Sequence, residues 1–147
     1  MDLELRGKRA IVTGGGAGIG RAIATELARE GVRVAITGRN QATLEAAAKE
    51  LGPHALAIVA DATDIAATEK AVAQAVKKFG KLDIVFANAG ISANTPVGGT
   101  SLETFESVLR TNITAVFFTV QAAAAHLSDG GSIILNGSVI SVLGNPG

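Results

Sequence analysis

The chain has 147 residues, 48% hydrophobic and 18% charged, which predicts one globular domain over residues 1–147 and excludes a disordered chain. Thirteen basic and thirteen acidic residues cancel, so no basic patch points to nucleic acid, and the absence of cysteine excludes disulfides, thiolate metal sites and cysteine nucleophiles. His54 and His126 lack metal-site spacing, the start lacks a signal-peptide core, and no apolar run approaches membrane-spanning length; a soluble cytoplasmic protein without a metal is expected.

Short β-branched runs alternate with longer helical patterns along the chain. Residues 8–13 (KRAIVT) read as a first strand, and residues 18–30 as a helix with Ile23 and Leu27 on one face. Residues 32–37 (VRVAIT) are a second strand, and 41–51 an alanine-rich helix stopped by Gly52 and Pro53. Residues 55–60 (ALAIVA) form a third strand. Residues 65–79 form a helix, with Asp64 as N-cap and Gly80 as terminator. Residues 82–87 (LDIVFA) are a fourth strand, followed by a loop from Asn88 to Gly99. Thr100 and Glu103 read as a T-x-x-E capping box for one long helix. Phe105, Val108, Leu109, Val116, Phe117 and Val120 recur along it at helical spacing. Residues 132–135 are the fifth strand, broken by Asn136 and Gly137 before Ser138. Apolar strands alternating with helices imply a parallel sheet covered on both faces. Right-handed crossovers make it a doubly wound α/β sheet.

The first strand runs into T-G-G-G-A-G-I-G, Thr13 to Gly20, and then into a helix. Glycines at such a place permit the sharp turn, close backbone approach to a pyrophosphate and tight helix–strand packing. The helix N-terminus offers unsatisfied N–H groups to phosphates. The position predicts a dinucleotide loop rather than a flexible turn. A P-loop is excluded because Arg21 and Ala22 follow Gly20, where Lys and Ser or Thr are needed. The G-x-G-x-x-G spacing also fails; the spacing present is G-x-x-x-G-x-G, through Gly14, Gly18 and Gly20.

With that spacing the loop resembles the cofactor loop of the short-chain dehydrogenase/reductase family, a resemblance that implies a Rossmann-like sheet with its five strands in the order 3-2-1-4-5. Four further stretches fit in order: Asp61 in VADATD, Asn88-Ala89-Gly90 after strand four, Asn112 in RTNITAVFF and Ser138 in NGSVIS. Ala87 and Ser141 depart mildly, standing where an asparagine and a glycine are frequent in the family. The resemblance implies a cofactor site built from Gly14, Gly16, Ala17, Gly18, Ile19, Gly20, Arg39, Asp61, Ala62, Asn88, Ala89 and Gly90. Asp61 reads from spacing alone as a turn residue ahead of Asp64; the resemblance makes it the contact to an adenine ring. Asn88 is expected both to tie the loop after strand four and to contact the cofactor ribose. Asn112, in step with the apolar residues of the long helix, reads as a buried core amide needing partners. The resemblance gives it a water in a proton relay.

Dinucleotide-binding sheets that prefer NAD place Asp or Glu at the end of strand two, for the ribose 2′-hydroxyl. Here the residues are Thr37-Gly38-Arg39-Asn40. No carboxylate repels a 2′-phosphate, and Arg39 offers a fork-shaped cation that suits one, so NADP(H) is expected over NAD(H). The plainer reading of Arg39 is a solvated surface arginine. Hydride delivery to a carbonyl carbon leaves charge on oxygen, which needs a hydrogen-bond donor and a proton. The resemblance makes Ser138 that donor, and gives the proton to a tyrosine with a lysine four residues later. The 147 residues contain no tyrosine. The expectation is therefore the N-terminal portion of a longer oxidoreductase acting on a small carbonyl or alcohol, homo-oligomeric in full length. By itself this portion is expected to be inactive, less stable than its parent and prone to associate through an open fifth strand. Two alternatives stand beside it: a non-catalytic dinucleotide-binding module, and a purely structural domain whose glycine loop binds nothing.

Overall fold

A computed structural model describes residues 3–139. Ser141 lies outside the described residues. Five strands form one parallel sheet: β1 (Arg9–Thr13), β2 (Arg33–Gly38), β3 (Ala55–Val59), β4 (Leu82–Ala87) and β5 (Leu127–Leu135). Their order is β3-β2-β1-β4-β5, the order the family resemblance implies. The order reverses between β1 and β4, and crevices at such switch points are where these sheets bind ligands.

Burial explains why the strands are continuously apolar. Side chains alternate across a strand, so Ala10 and Val12 of β1 enter one core layer and Ile11 the other. On one face Val12, Val34 and Ile36 pack with Ala24 of α1 (Gly18–Arg29) and with Leu44 and Ala47 of α2 (Gln41–Leu51). On the other face Ile11, Ala35 and Val85 pack with Ala71, Val72 and Ala75 of α3 (Ile65–Phe79). Ala123 of α5 (Ala115–Ala124) joins that second layer. Helices α2 and α5 therefore cover opposite faces of the sheet.

Local signals set the helix ends. The Asn40 side chain accepts from the Thr43 N–H and the Asp64 side chain from the Ala67 N–H, so each satisfies an orphan first-turn donor. Gly52 and Gly80 end α2 and α3 at φ 94° and 88°, where a side chain would be strained.

Three local readings are corrected by the structure. The cap of α4 (Leu102–Leu109) is Ser101, whose hydroxyl accepts from the Thr104 N–H at 3.1 Å. Thr100 instead donates its hydroxyl to the Pro96 carbonyl and closes the preceding turn. The long helix is not continuous either: a π-helical segment, Arg110–Thr114, separates α4 from α5. The Ala115 N–H donates to the Arg110 carbonyl five residues back, which is the π pattern. Strand β5 begins at Leu127 rather than at residue 132. Leu82 pairs with Leu127 and Ile84 with Ser132, so residues 128–131 bulge out of the ladder.

The half of the molecule built from α4, the π segment and β5 is lightly covered. Phe105, Ile113 and Phe117 are more than half exposed, and Leu109 is exposed. Ile133, Ile134 and Leu135 of the sheet-edge strand are exposed as well. The helical spacing of this stripe was legible in the sequence, but its burial was not. Among the described residues no helix is long and apolar enough to cross a membrane.

Candidate functional site

The carboxyl ends of β1, β2, β3 and β4 open into one cavity of about 520 Å³. Gly14, Gly16 and Ala17 line it from the glycine loop, and Gly38, Arg39 and Asn40 from the end of β2. Ala60, Asp61 and Ala62 line it after β3, Ala89, Gly90 and Ile91 after β4. Ser107, Arg110 and Thr111 close it from the side of α4 and the π segment.

The glycine loop is shaped by close approach. A Cβ on Gly20 would lie 2.3 Å from the Gly14 carbonyl oxygen and 2.6 Å from the Asn88 side-chain nitrogen, so no other residue fits without movement. The Gly15 N–H donates to the Thr37 carbonyl, which pins the loop to the end of β2. Helix α1 then starts with its first N–H groups directed at the loop, and Ala17 at its N-cap supplies no side chain to satisfy them. Backbone donors of this kind, with the positive end of the helix dipole, favour an anion.

Asn88 is the tie between the strand ends. Its backbone N–H donates to the Thr13 hydroxyl, and its side-chain NH₂ donates to the Thr13 carbonyl at 3.0 Å. Its side-chain oxygen accepts from the Asn136 amide at 2.9 Å. Asn136 also donates its backbone N–H to the Ala87 carbonyl. One amide thus fastens the ends of β1, β4 and β5 together, with exposed Ser138 two residues beyond Asn136.

The end of the cavity next to β3 is charged. The Asp61 carboxylate accepts from both the N–H and the hydroxyl of Thr63, the turn geometry its spacing suggested. Its pKa is held below the usual carboxylate range, chiefly by the Thr63 backbone N–H. Partial burial opposes this, while the Thr63 hydroxyl and the Arg39 and Arg110 guanidiniums, acting through space, favour the anion.

Of the residues expected at the site, Gly14, Gly16, Ala17, Arg39, Asp61, Ala62, Ala89 and Gly90 share this cavity. Gly18, Ile19, Gly20, Asn88, Asn112 and Ser138 do not line it. Gly20 and Asn88 act one layer beneath it, as shown by their contacts with Gly14 and Thr13. Asn112 is exposed rather than buried. Both ends of its amide are nonetheless engaged: its oxygen accepts from the Ile91 N–H and its NH₂ donates to the Ile91 carbonyl, both at 2.8 Å. The amide clamps the loop after β4 onto the π segment. A helical period could place Asn112 on a stripe, but not say that the stripe faces outward. Sequence reasoning missed Arg110, Thr111 and the tying hydroxyl of Thr13. The available signal was weak: a polar residue ending β1, and two polar residues immediately before Asn112. Among the described residues no group of three His, Asp or Glu side chains is placed to hold a metal.

The cavity fits a dinucleotide on the chain's own features: a glycine turn held by close backbone approach, a helix N-terminus after it with no side-chain cap, and a rim running from Gly14, Gly16 and Ala17 to Asp61. Comparison with known proteins agrees. The short chain dehydrogenase family model matches residues 8–147. A hydroxynaphthalene reductase of Aspergillus fumigatus is 41% identical over 99% of this chain and 55% of its own length. A short chain dehydrogenase of Burkholderia cenocepacia, solved in complex with NADP, superposes with TM-score 0.87 at 41% identity, over 97% of this chain and 60% of that one. A blue fluorescent protein from a metagenomic library, solved with NADPH, gives TM-score 0.88 at 40% identity, over 94% of this chain and 58% of that one. The chain thus spans about half to three-fifths of the length of these relatives.

Proposed function

The chain belongs to the short-chain dehydrogenase/reductase family of oxidoreductases, and from that premise we propose that its cavity holds NADP(H), preferred over NAD(H), in a protein that interconverts a carbonyl and a hydroxyl on a small molecule. The observation that carries this reading is the cavity itself. It joins a closely packed glycine turn, where a Cβ at Gly15 or Gly20 would clash, with a rim bearing Arg39 and no carboxylate at the end of β2. Backbone N–H groups of the glycine loop would bind the pyrophosphate. Arg39 would pair with a 2′-phosphate. Asp61 and Ala62 would meet the adenine, and Asn88, Ala89 and Gly90 the ribose next to the nicotinamide. Two relatives solved with NADP or NADPH support the choice of cofactor.

When bound, the nicotinamide supplies or takes the hydride. Ser138 would donate its hydroxyl to the reacting oxygen, held there by the Asn136 tie to β4. Asn112 would fix the loop at Ile91 and support proton delivery. On this reading the general acid is a tyrosine supplied from outside these 147 residues, which contain none. That zero count also favours a second reading, in which the chain binds the dinucleotide without turnover.

Titration of the purified chain, followed by nicotinamide fluorescence, tests the proposal. NADPH should bind about tenfold more tightly than NADH, and Arg39→Ala should bring the two constants together. Equal constants in the unaltered chain would remove the preference, and no binding of either would remove the dinucleotide. A ketone panel should show no NADPH oxidation by the chain alone; turnover abolished by Ser138→Ala would show that its own residues suffice.

A further inference from the structure

Two arginines face the adenine end of the cavity from opposite sides of the sheet. Arg39 directly precedes the capping residue of α2, which packs on one face, and Arg110 opens the π segment leading into α5, which packs on the other. Both line the cavity, with Asp61 between them at the end of β3. Arg110 also lines the recess on the far side of Asp61, beside Thr63 and the start of α3. It is exposed, so its head can be set by whatever enters the slot.

From this juxtaposition we propose that Arg110 is a nucleotide-binding residue: its guanidinium forms the second wall of the adenine slot and stacks on the purine face turned away from Arg39. The inference rests on the dinucleotide reading of the cavity and adds a residue to it. A planar, weakly hydrated guanidinium stacks readily on an aromatic face, whereas a lysine ammonium offers charge without a plane. The backbone supports the placement. The π segment inserts one extra residue into the helical turn, which alters the direction of the side chains around it. The Asn112 amide holds that segment to Ile91, so the Cα of Arg110 is positioned while its head is free to adapt. The Asp61 carboxylate interacts through space with both guanidiniums, which favours keeping them near the slot.

The test uses nucleotides that reach only this end of the cavity, 5′-AMP and 2′,5′-ADP, titrated by calorimetry against the 147-residue chain. A stacking wall touches the base common to both. Arg110→Gln should therefore weaken both by a similar factor, about tenfold, with their ratio unchanged. Arg110→Lys should recover only a small part of the loss. Arg39→Ala should mainly change the ratio, because only 2′,5′-ADP carries the extra phosphate. Melting curves of each variant check that the fold is kept, and the lysine variant decides if the glutamine variant is destabilised. Unchanged affinities in Arg110→Gln would overturn the proposal, as would loss confined to 2′,5′-ADP or full rescue by lysine. If the unaltered chain binds neither nucleotide, the dinucleotide reading itself falls, and this one with it.

Discussion

A methyl group at Gly20 would meet the Gly14 carbonyl oxygen at 2.3 Å, and that atom belongs to the turn proposed to hold a pyrophosphate. The clash is with backbone and with the tying Asn88 amide, neither of which can swing aside cheaply. Gly20→Ala should therefore spread the turn, costing about 2 kcal/mol of stability and most of the dinucleotide affinity. Gly18 is the internal control. Its Cβ would meet nothing within 4 Å, and only its φ of +53° opposes a side chain. Gly18→Ala should cost about 1 kcal/mol and keep a measurable share of the binding. Thermal melts and cofactor titrations of the pair would check this, and equal losses in both would mean that the turn is not held by close approach.

At the opposite end of the strands, away from the cavity, one ion pair joins three of them. The Arg9 guanidinium donates to both oxygens of Asp83, at 2.7 and 3.1 Å, and to the Ser128 hydroxyl at 2.9 Å. The Arg9 backbone N–H donates to the same carboxylate. Strands β1, β4 and β5 are thereby fixed in register just where β5 bulges. Asp83 is nearly buried, so removing its charge leaves the guanidinium without its main partner. Asp83→Asn should cost about 2–3 kcal/mol at neutral pH. The pH dependence has a definite sign. Arg9, above all through its side-chain hydrogen bond, holds the Asp83 pKa below the usual carboxylate range. The stabilisation is therefore full above the unfolded pKa near 4 and is lost as pH falls through the lower folded value. Melting temperatures followed from pH 7 into acid should converge for the two proteins, while Asp61, also lowered, leaves a residual acid slope in the variant. Parallel curves at all pH values would mean that the carboxylate charge contributes nothing.

For the molecule as a whole, the balance of covered and open faces decides behaviour. Strands β1 and β2 have helices on both faces, whereas β5 forms an edge with Ile133, Ile134 and Leu135 exposed. The stripe Phe105, Leu109, Ile113 and Phe117 adds apolar surface on the helical side. An apolar edge strand templates pairing with another chain. The 147-residue chain is expected to self-associate, with a sedimentation coefficient that rises with concentration. Ile134→Lys should shift it toward monomer. A sharp monomer boundary at every concentration would contradict the expectation.

Much of this molecule was legible residue by residue. Helices 41–51 and 65–79 and strand 82–87 follow from periodicity, caps and glycine stops, because those signals act on the backbone within a few residues. The glycine spacing and the order of motifs disclosed the family for the same reason: each motif is a short stretch whose backbone shape its own residues dictate. What the sequence could not supply was which surfaces meet. The amphipathic stripe of residues 105–117 has the same period whether its apolar side is covered or bare, so the exposure of Asn112 emerged only from packing. The π segment and the bulge at residues 128–131 depend on how a helix and a strand must be offset to reach their neighbours across the sheet, whereas the cap passes to Ser101 because the adjacent Thr100 hydroxyl is taken by the Pro96 carbonyl. Arg110 faces Asp61 because α3, which starts just after Asp61, and α5, which follows the π segment, pack on the same face of that sheet, a relation between residues 49 positions apart that no local pattern records.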